Sequence, residues 1–326
     1  MRATGVGSFP GEEQRDFDEA LRIVLGDLGD QLPFVPEVPG RGAPAGMIGR
    51  TIGLLGELDA DLQPNGWRLT GTSGAPALDQ RRARSLLAQD LDTLEEQAAG
   101  LTGDFKVQVV GPWTLAATVE RPRGDKVLAD HGARRELAQA LAVAVEEHLA
   151  DVRRRLPDAA RLVLQLDEPA LPAVLGARIP TASGFGKHRA IHPPEASEAL
   201  GWVIAAGGAD VWVHCCAPGA PIGLVRGAGA TGVMVDLAQL DADGHDALAE
   251  TLESGGTVVL GAVPTSAPLP TDKQVVESVL RWLDMLGLDP DAVGDQLLLS
   301  PACGLAGADM ATARTALERV VRAARQ

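Results

Sequence analysis

Tyrosine is absent from the 326-residue chain, and phenylalanine and tryptophan number only five each. With so few rings the core has to be built from alanine, valine and leucine, which suits helices packed closely on strands. Basic charge is also scarce. Lysine and arginine total 29 against 44 aspartates and glutamates, a net charge of −15, and no Lys/Arg block exists that could neutralise a run of phosphates. Nucleic acid and anionic membrane surfaces are therefore excluded as partners. No stretch approaches the roughly 18 consecutive apolar residues of a membrane span, and the opening Met1-Arg2-Ala3-Thr4-Gly5 has no apolar leader core, so a cytoplasmic protein is expected. Cysteine is limited to Cys215, Cys216 and Cys303. An odd and small number rules out a disulfide scaffold and leaves three thiols in a reducing compartment.

What the sequence does contain is a recurring unit: a short β-prone run ending in Gly, Pro, Asp or His, then an amphipathic stretch. Eight such runs occur: Thr4 to Phe9, Phe34 to Val38, Phe105 to Val110, Arg161 to Asp167, Val211 to Cys216, Gly232 to Leu237, Thr257 to Val263 and Gln296 to Ser300. Most are continuously apolar, as strands covered on both faces are. Between them, Glu12 to Leu28, Ala83 to Ala99, Ala133 to Leu156 and Met310 to Arg325 carry apolar residues at helical spacing. Eight strand–helix units close a single (β/α)8 TIM-type barrel over residues 1–326. The competing open, doubly wound sheet lacks its fingerprint, because Gly5-Val6-Gly7 is followed by Ser8-Phe9-Pro10 and not by a helix-opening glycine pattern. Two inserts interrupt the rhythm: Asp59 to Leu78, a hairpin or lid, and Gly176 to Pro194, a long loop carrying His188 and His192.

The chemistry-bearing residues cluster at the C-terminal ends of the runs. In Val211-Trp212-Val213-His214-Cys215-Cys216, alternation points His214 and Cys216 to one side and Cys215 to the other. Cys303, in the turn Pro301-Ala302-Cys303-Gly304, can reach the same point across the barrel mouth. One imidazole and two thiolates suit zinc. Asp236, ending the sixth run, is either a fourth ligand through oxygen or a cap on the next helix. Asp167 and Glu168 are adjacent and so face different ways. Asp167, with Glu37 from Val35-Pro36-Glu37-Val38, would surround an ammonium, and the Gly5-Val6-Gly7-Ser8 turn with the Ser8 hydroxyl would hold a carboxylate. Trp113, after the third run, either floors the ligand pocket as a substrate-binding residue or packs beneath its loop. Soft metal ligands on one side, with groups for an ammonium and a carboxylate on the other, describe a site for a thiol-bearing amino acid.

These motifs resemble the catalytic C-terminal barrel of cobalamin-independent methionine synthase, within a superfamily that includes uroporphyrinogen decarboxylase. The resemblance runs through Gly7-Ser8-Phe9-Pro10, Gly111-Pro112-Trp113-Thr114, Gln165-Leu166-Asp167-Glu168-Pro169-Ala170-Leu171, His214-Cys215-Cys216 and Pro301-Ala302-Cys303-Gly304. It implies a zinc-dependent methyltransferase that converts homocysteine to methionine. The implied ligands are His214, Cys216 and Cys303, which also form the catalytic set, with Asp236 as the nearest acidic candidate for the fourth. Asp167 and Glu37 would hold the substrate ammonium and Ser8 its carboxylate. Two departures bear on the methyl donor. The second, N-terminal barrel of full-length members is absent, and Gly261-Ala262-Val263-Pro264-Thr265-Ser266-Ala267-Pro268 lacks the histidine that serves the family as acid for the leaving folate. Both departures lead to the expectation of a methyl-corrinoid donor, methylcobalamin or a corrinoid protein partner, in place of methyltetrahydrofolate. The other readings are a folate-dependent methionine synthase, a metal-free decarboxylase-like enzyme using mouth arginines such as Arg41 and Arg50, and a non-catalytic thiol- or corrinoid-binding module.

Overall fold

The computed structural model describes residues 1–71, 77–208 and 210–326. Its strands are β1 (Arg2–Ala3), β2 (Ala60–Gln63), β3 (Gly66–Leu69), β4 (Phe105–Val110), β5 (Leu162–Asp167), β6 (Val211–Cys215), β7 (Gly232–Asp236), β8 (Thr257–Val263) and β9 (Leu297–Pro301). Seven of them form one parallel sheet in the order β1-β9-β8-β7-β6-β5-β4. β2 and β3 are an antiparallel hairpin within the expected 59–78 insert, of which residues 72–76 lie outside the described part.

The sheet curls until its two edges meet on the second run. Leu32 and Glu37 donate their amides to Ala3 and Gly7 on one side, and Phe9 donates to Glu37 in return. On the other side Lys106 donates to Pro33 and Val35 to Lys106. Parallel bridges join Ser8 to Glu37 and Phe34 to Lys106. The run is thus the eighth stave, and the barrel expected from sequence closes. It forms no continuous strand because Pro33 and Pro36 bring no amide hydrogen to a ladder.

Helices follow the staves and cover the outside. Gln14–Asp27, Leu78–Gln97, His131–Arg155 and Met310–Ala324 fall where the periodicity places them, within a few residues at each end. Helix Leu78–Gln97 starts earlier than the apolar spacing suggests. Its first turns use buried Gln80, which donates to the carbonyls of Ile52, Leu55 and Leu58, so a polar residue does there what an apolar one does elsewhere. No helix among the described residues is long and apolar enough to cross a membrane.

Strand alternation divides the packing in two. Outward residues such as Val107, Leu164, Val213, Val235 and Leu260 join the large core beneath the helices. Inward residues Val6, Leu32, Val163, Trp212, Met234, Val259 and Leu298 form a separate apolar cluster that plugs the barrel. The inner positions one step nearer the C-terminal ends are Gln108, Gln165, His214 and Asp236. A dry floor therefore lies beneath a polar upper storey, on the face where such barrels build their sites.

Candidate metal centre and substrate pocket

His214 shares its strand face with Trp212 and is almost fully buried, 4% exposed. Its Nδ1 is 2.7 Å from Asp167 Oδ1, while Nε2 is buried with no partner among the described residues. Cys216 follows the end of β6 and Cys303 lies in the turn after β9. Their sulfurs face each other at 2.8 Å, and donor atoms of His214, Cys216 and Cys303 all lie within 4.8 Å of one another. Burial works against a charged His214, but the hydrogen bond it donates to Asp167 and the neighbouring Cys303 outweigh it and raise the imidazole to about 9. The two facing thiols titrate together. The hydrogen bond from Cys216, aided by His214, lowers Cys303, and that same bond together with burial raises Cys216. Cys215 is turned into the outer core, where burial pushes its thiol up to about 12. Alternation thus separates the adjacent cysteines as the sequence implies.

The unpaired Nε2 beside two sulfurs is a donor set that fits zinc, with Asp167 fixing the other ring nitrogen as carboxylates do behind metal-binding histidines. Asp236 has the strand parity of inward Met234 but is not brought into the cluster. Its Oδ1 instead accepts from the Ala238 amide at 2.9 Å and caps the short helix after β7, the alternative reading from sequence.

Behind His214 runs a buried line of polar contacts. Lys106, fully buried, donates from Nζ to Gln165 Oε1 at 2.6 Å and to the Val6 carbonyl at 3.3 Å. Gln165 Nε2 donates to Asp167 Oδ1 at 2.7 Å and to the Val6 carbonyl at 2.8 Å. Asp167 then holds His214. Both of its described bonds converge on Oδ1, which leaves Oδ2 for another donor. Burial pushes Lys106 down to about 7, with Asp167 and Glu37 pulling the other way.

Glu37 is 5% exposed. Its Oε1 accepts from Gln108 Nε2 at 3.2 Å and lies 3.9 Å from Arg50 Nε. Burial raises its carboxyl to about 7, Arg50 opposes this, and Asp167 adds to it, so the two carboxylates sense each other. Ser8 stands beside the turn that carries Cys303: Leu305 donates its amide to the Ser8 carbonyl, Ala306 to the Ser8 hydroxyl at 3.4 Å, and Gly304 has no room for a Cβ, which would run into that hydroxyl.

Three other expected mouth residues have their polar groups engaged elsewhere. Trp113 is a correction: it is 1% exposed and its indole donates to the Ala196 carbonyl of the outer helix Pro193–Ala206, so it packs under its loop on the helix side and not in the barrel mouth. The cause is Glu168, on the opposite face from Asp167, which accepts from Trp113 N, Thr114 N and Thr114 Oγ1 at 2.7–2.8 Å and turns the start of helix Pro112–Thr118 outward. Arg41 and Arg50 are both paired with buried Asp90 of helix Leu78–Gln97, an arrangement that leaves them poorly placed to grip an acidic substrate. Lys106, Gln108 and Gln165 went without a role in the sequence reading. Their signal was there: Lys106 and Gln108 are polar at alternate positions of an otherwise apolar run, the mark of an interior that is not dry.

A solved structure described as a B12-independent methionine synthase from Shewanella sp. W3-18-1, in complex with selenomethionine, matches with a TM-score of 0.66 at 15% identity, over 99% of this chain and 96% of that one. That likeness bears on the fold. No curated protein matches. A family model described as the catalytic domain of cobalamin-independent synthase matches residues 92–326. The expected methyl-corrinoid donor and corrinoid protein partner are corrected by these findings. The family is cobalamin-independent by description. With β4 to β9 and the whole His214, Cys216, Cys303 cluster inside the matched region, the chain belongs to the family of cobalamin-independent synthase catalytic domains.

Proposed function

We propose that this chain is a zinc-dependent methyltransferase that methylates the thiol of homocysteine to give methionine. The observation that carries the reading is the buried, unpartnered His214 Nε2 held among two cysteine sulfurs. A buried ring nitrogen without a partner is costly unless something binds there. Zinc held by His214, Cys216 and Cys303 would supply a cation that keeps a substrate thiol ionised near neutral pH, with one of its four positions left for that thiol.

The remaining groups orient the amino acid. Asp167 fixes the His214 ring through Oδ1 and presents Oδ2, with Glu37, to the α-ammonium. Ser8, next to Cys303 through the Gly304–Ala306 turn, receives the carboxylate. Burial of Glu37 and His214 keeps water from competing for both ends.

Metal analysis and homocysteine titration of the wild type against Cys303→Ser test this reading. Stoichiometric zinc in the wild type, its loss in the variant, and a parallel loss of at least about tenfold in homocysteine affinity are expected. A Cys303→Ser protein that keeps its zinc and binds homocysteine as tightly as the wild type overturns it.

A further inference from the structure

Gln108 lies on β4 with its side chain inside the barrel, 8% exposed. Its amide orientation is fixed by chemistry: Nε2 sits 2.7 Å from the Val35 carbonyl, which only accepts, and 3.2 Å from Glu37 Oε1, so the nitrogen must be the atom between them. Both amide hydrogens are thereby used. The oxygen Oε1 is buried and has no donor among the described residues. Gly7 presses on the same amide, since a Cβ there would lie 2.9 Å from Nε2, and Gln108 is register-paired with Gln165, which carries Asp167. The orphan oxygen thus belongs to an amide held beside Glu37, on the strand next to the one that carries Gln165 and Asp167. The nearby Lys106 does not satisfy it: its Nζ is directed to Gln165 and Val6 and makes no bond to Gln108.

We infer that Gln108 is a specificity-determining residue whose Oε1 accepts the third hydrogen of a primary ammonium on the substrate. This rests on the reading of the pocket as an amino-acid site. A primary ammonium has three N–H donors; Glu37 and Asp167 meet two, and the Gln108 oxygen is the buried acceptor left for the third. Carboxylates alone would hold any cation. A neutral carboxamide oxygen, fixed in direction, makes the pocket count hydrogens, so it favours an unsubstituted α-amine over a methylated one or none.

Calorimetric titration of the zinc-loaded protein with L-homocysteine, its N-methyl derivative and its des-amino analogue, 4-sulfanylbutanoate, tests this. On wild type, N-methylation, which removes one N–H, is expected to weaken binding about tenfold. Gln108→Met, similar in length but without the acceptor, should weaken homocysteine by about the same factor while leaving 4-sulfanylbutanoate unchanged. The effect should persist in a Glu37→Gln background, which separates direct contact from mere support of Glu37. Equal affinity of the wild type for homocysteine and its N-methyl derivative overturns the inference, as does a Gln108→Met effect that vanishes beside Glu37→Gln. The N-methyl comparison needs no variant, so it decides the matter even where Gln108→Met fails to fold. A zinc-loaded wild type that takes none of the three thiols overturns the functional reading itself, and a tight but non-discriminating one overturns only the role of Gln108.

Discussion

Two storeys of one barrel interior, a few ångströms apart on the same strands, follow opposite rules. In the lower, the side chains of Val6, Leu32, Val163, Trp212, Met234, Val259 and Leu298 pack together as an almost wholly apolar cluster. In the upper, Lys106, Gln108, Gln165, Asp167, Glu37 and His214 are just as buried yet almost wholly polar, and two of their atoms, His214 Nε2 and Gln108 Oε1, are unsatisfied. The lower storey gains free energy from burial and asks for nothing else. The upper one accepts the cost of desolvation and holds its groups in place for a ligand. Stability and function are thus separated by two residues along β6, from Trp212 to His214.

That separation can be broken experimentally. Trp212→Ala should produce the largest effect, a loss of about 3–5 kcal/mol from cavity formation, read from denaturant unfolding; a loss below about 1 kcal/mol would mean the floor is not structural. Asp167→Asn should do the reverse. It leaves His214 without its anionic partner, so zinc affinity in a chelator competition should fall about 10–100-fold while the unfolding midpoint moves little. A large destabilisation with unchanged zinc affinity would erase the distinction between storeys. The smallest effect is a slope. Lys106 titrates at about 7 in the fold against 10.5 when free. Between those values the unfolded chain carries a proton the folded one has released, so stability rises with pH across that window. Lys106→Met should flatten that rise, measured as unfolding free energy at pH 7 and pH 10; an unchanged slope would show that Lys106 is not held in a desolvated setting.

The outline of this arrangement was legible in the sequence wherever alternation governs. Runs ending at Asp167 and Cys216 became strands with the expected sidedness, and the pair Cys215 and Cys216 parted as a period of two requires. What escaped was set by contacts between distant segments. Trp113 faces outward because Glu168, fifty-five positions later, captures its amide, and no local pattern shows that. Asp236 carries the correct strand parity, but its carboxylate is claimed by the next turn, a competition between two local rules that spacing alone does not decide. Gln108 is visible as a polar residue in an apolar run, yet its orphan oxygen depends on Val35 and Glu37 seventy positions away.

The second stave has a mechanical consequence. Lacking the amide hydrogens of Pro33 and Pro36, it is stitched at intervals to both neighbours, which makes it the most weakly fastened plank of the barrel, and Glu37 rides on it. A ligand that joins Glu37 to Asp167 on β5 ties that plank to firmer ones. Amide hydrogen exchange at Val35, Glu37 and Val38 is where such a clasp would be felt first, as a slowing that spreads outward from the seam.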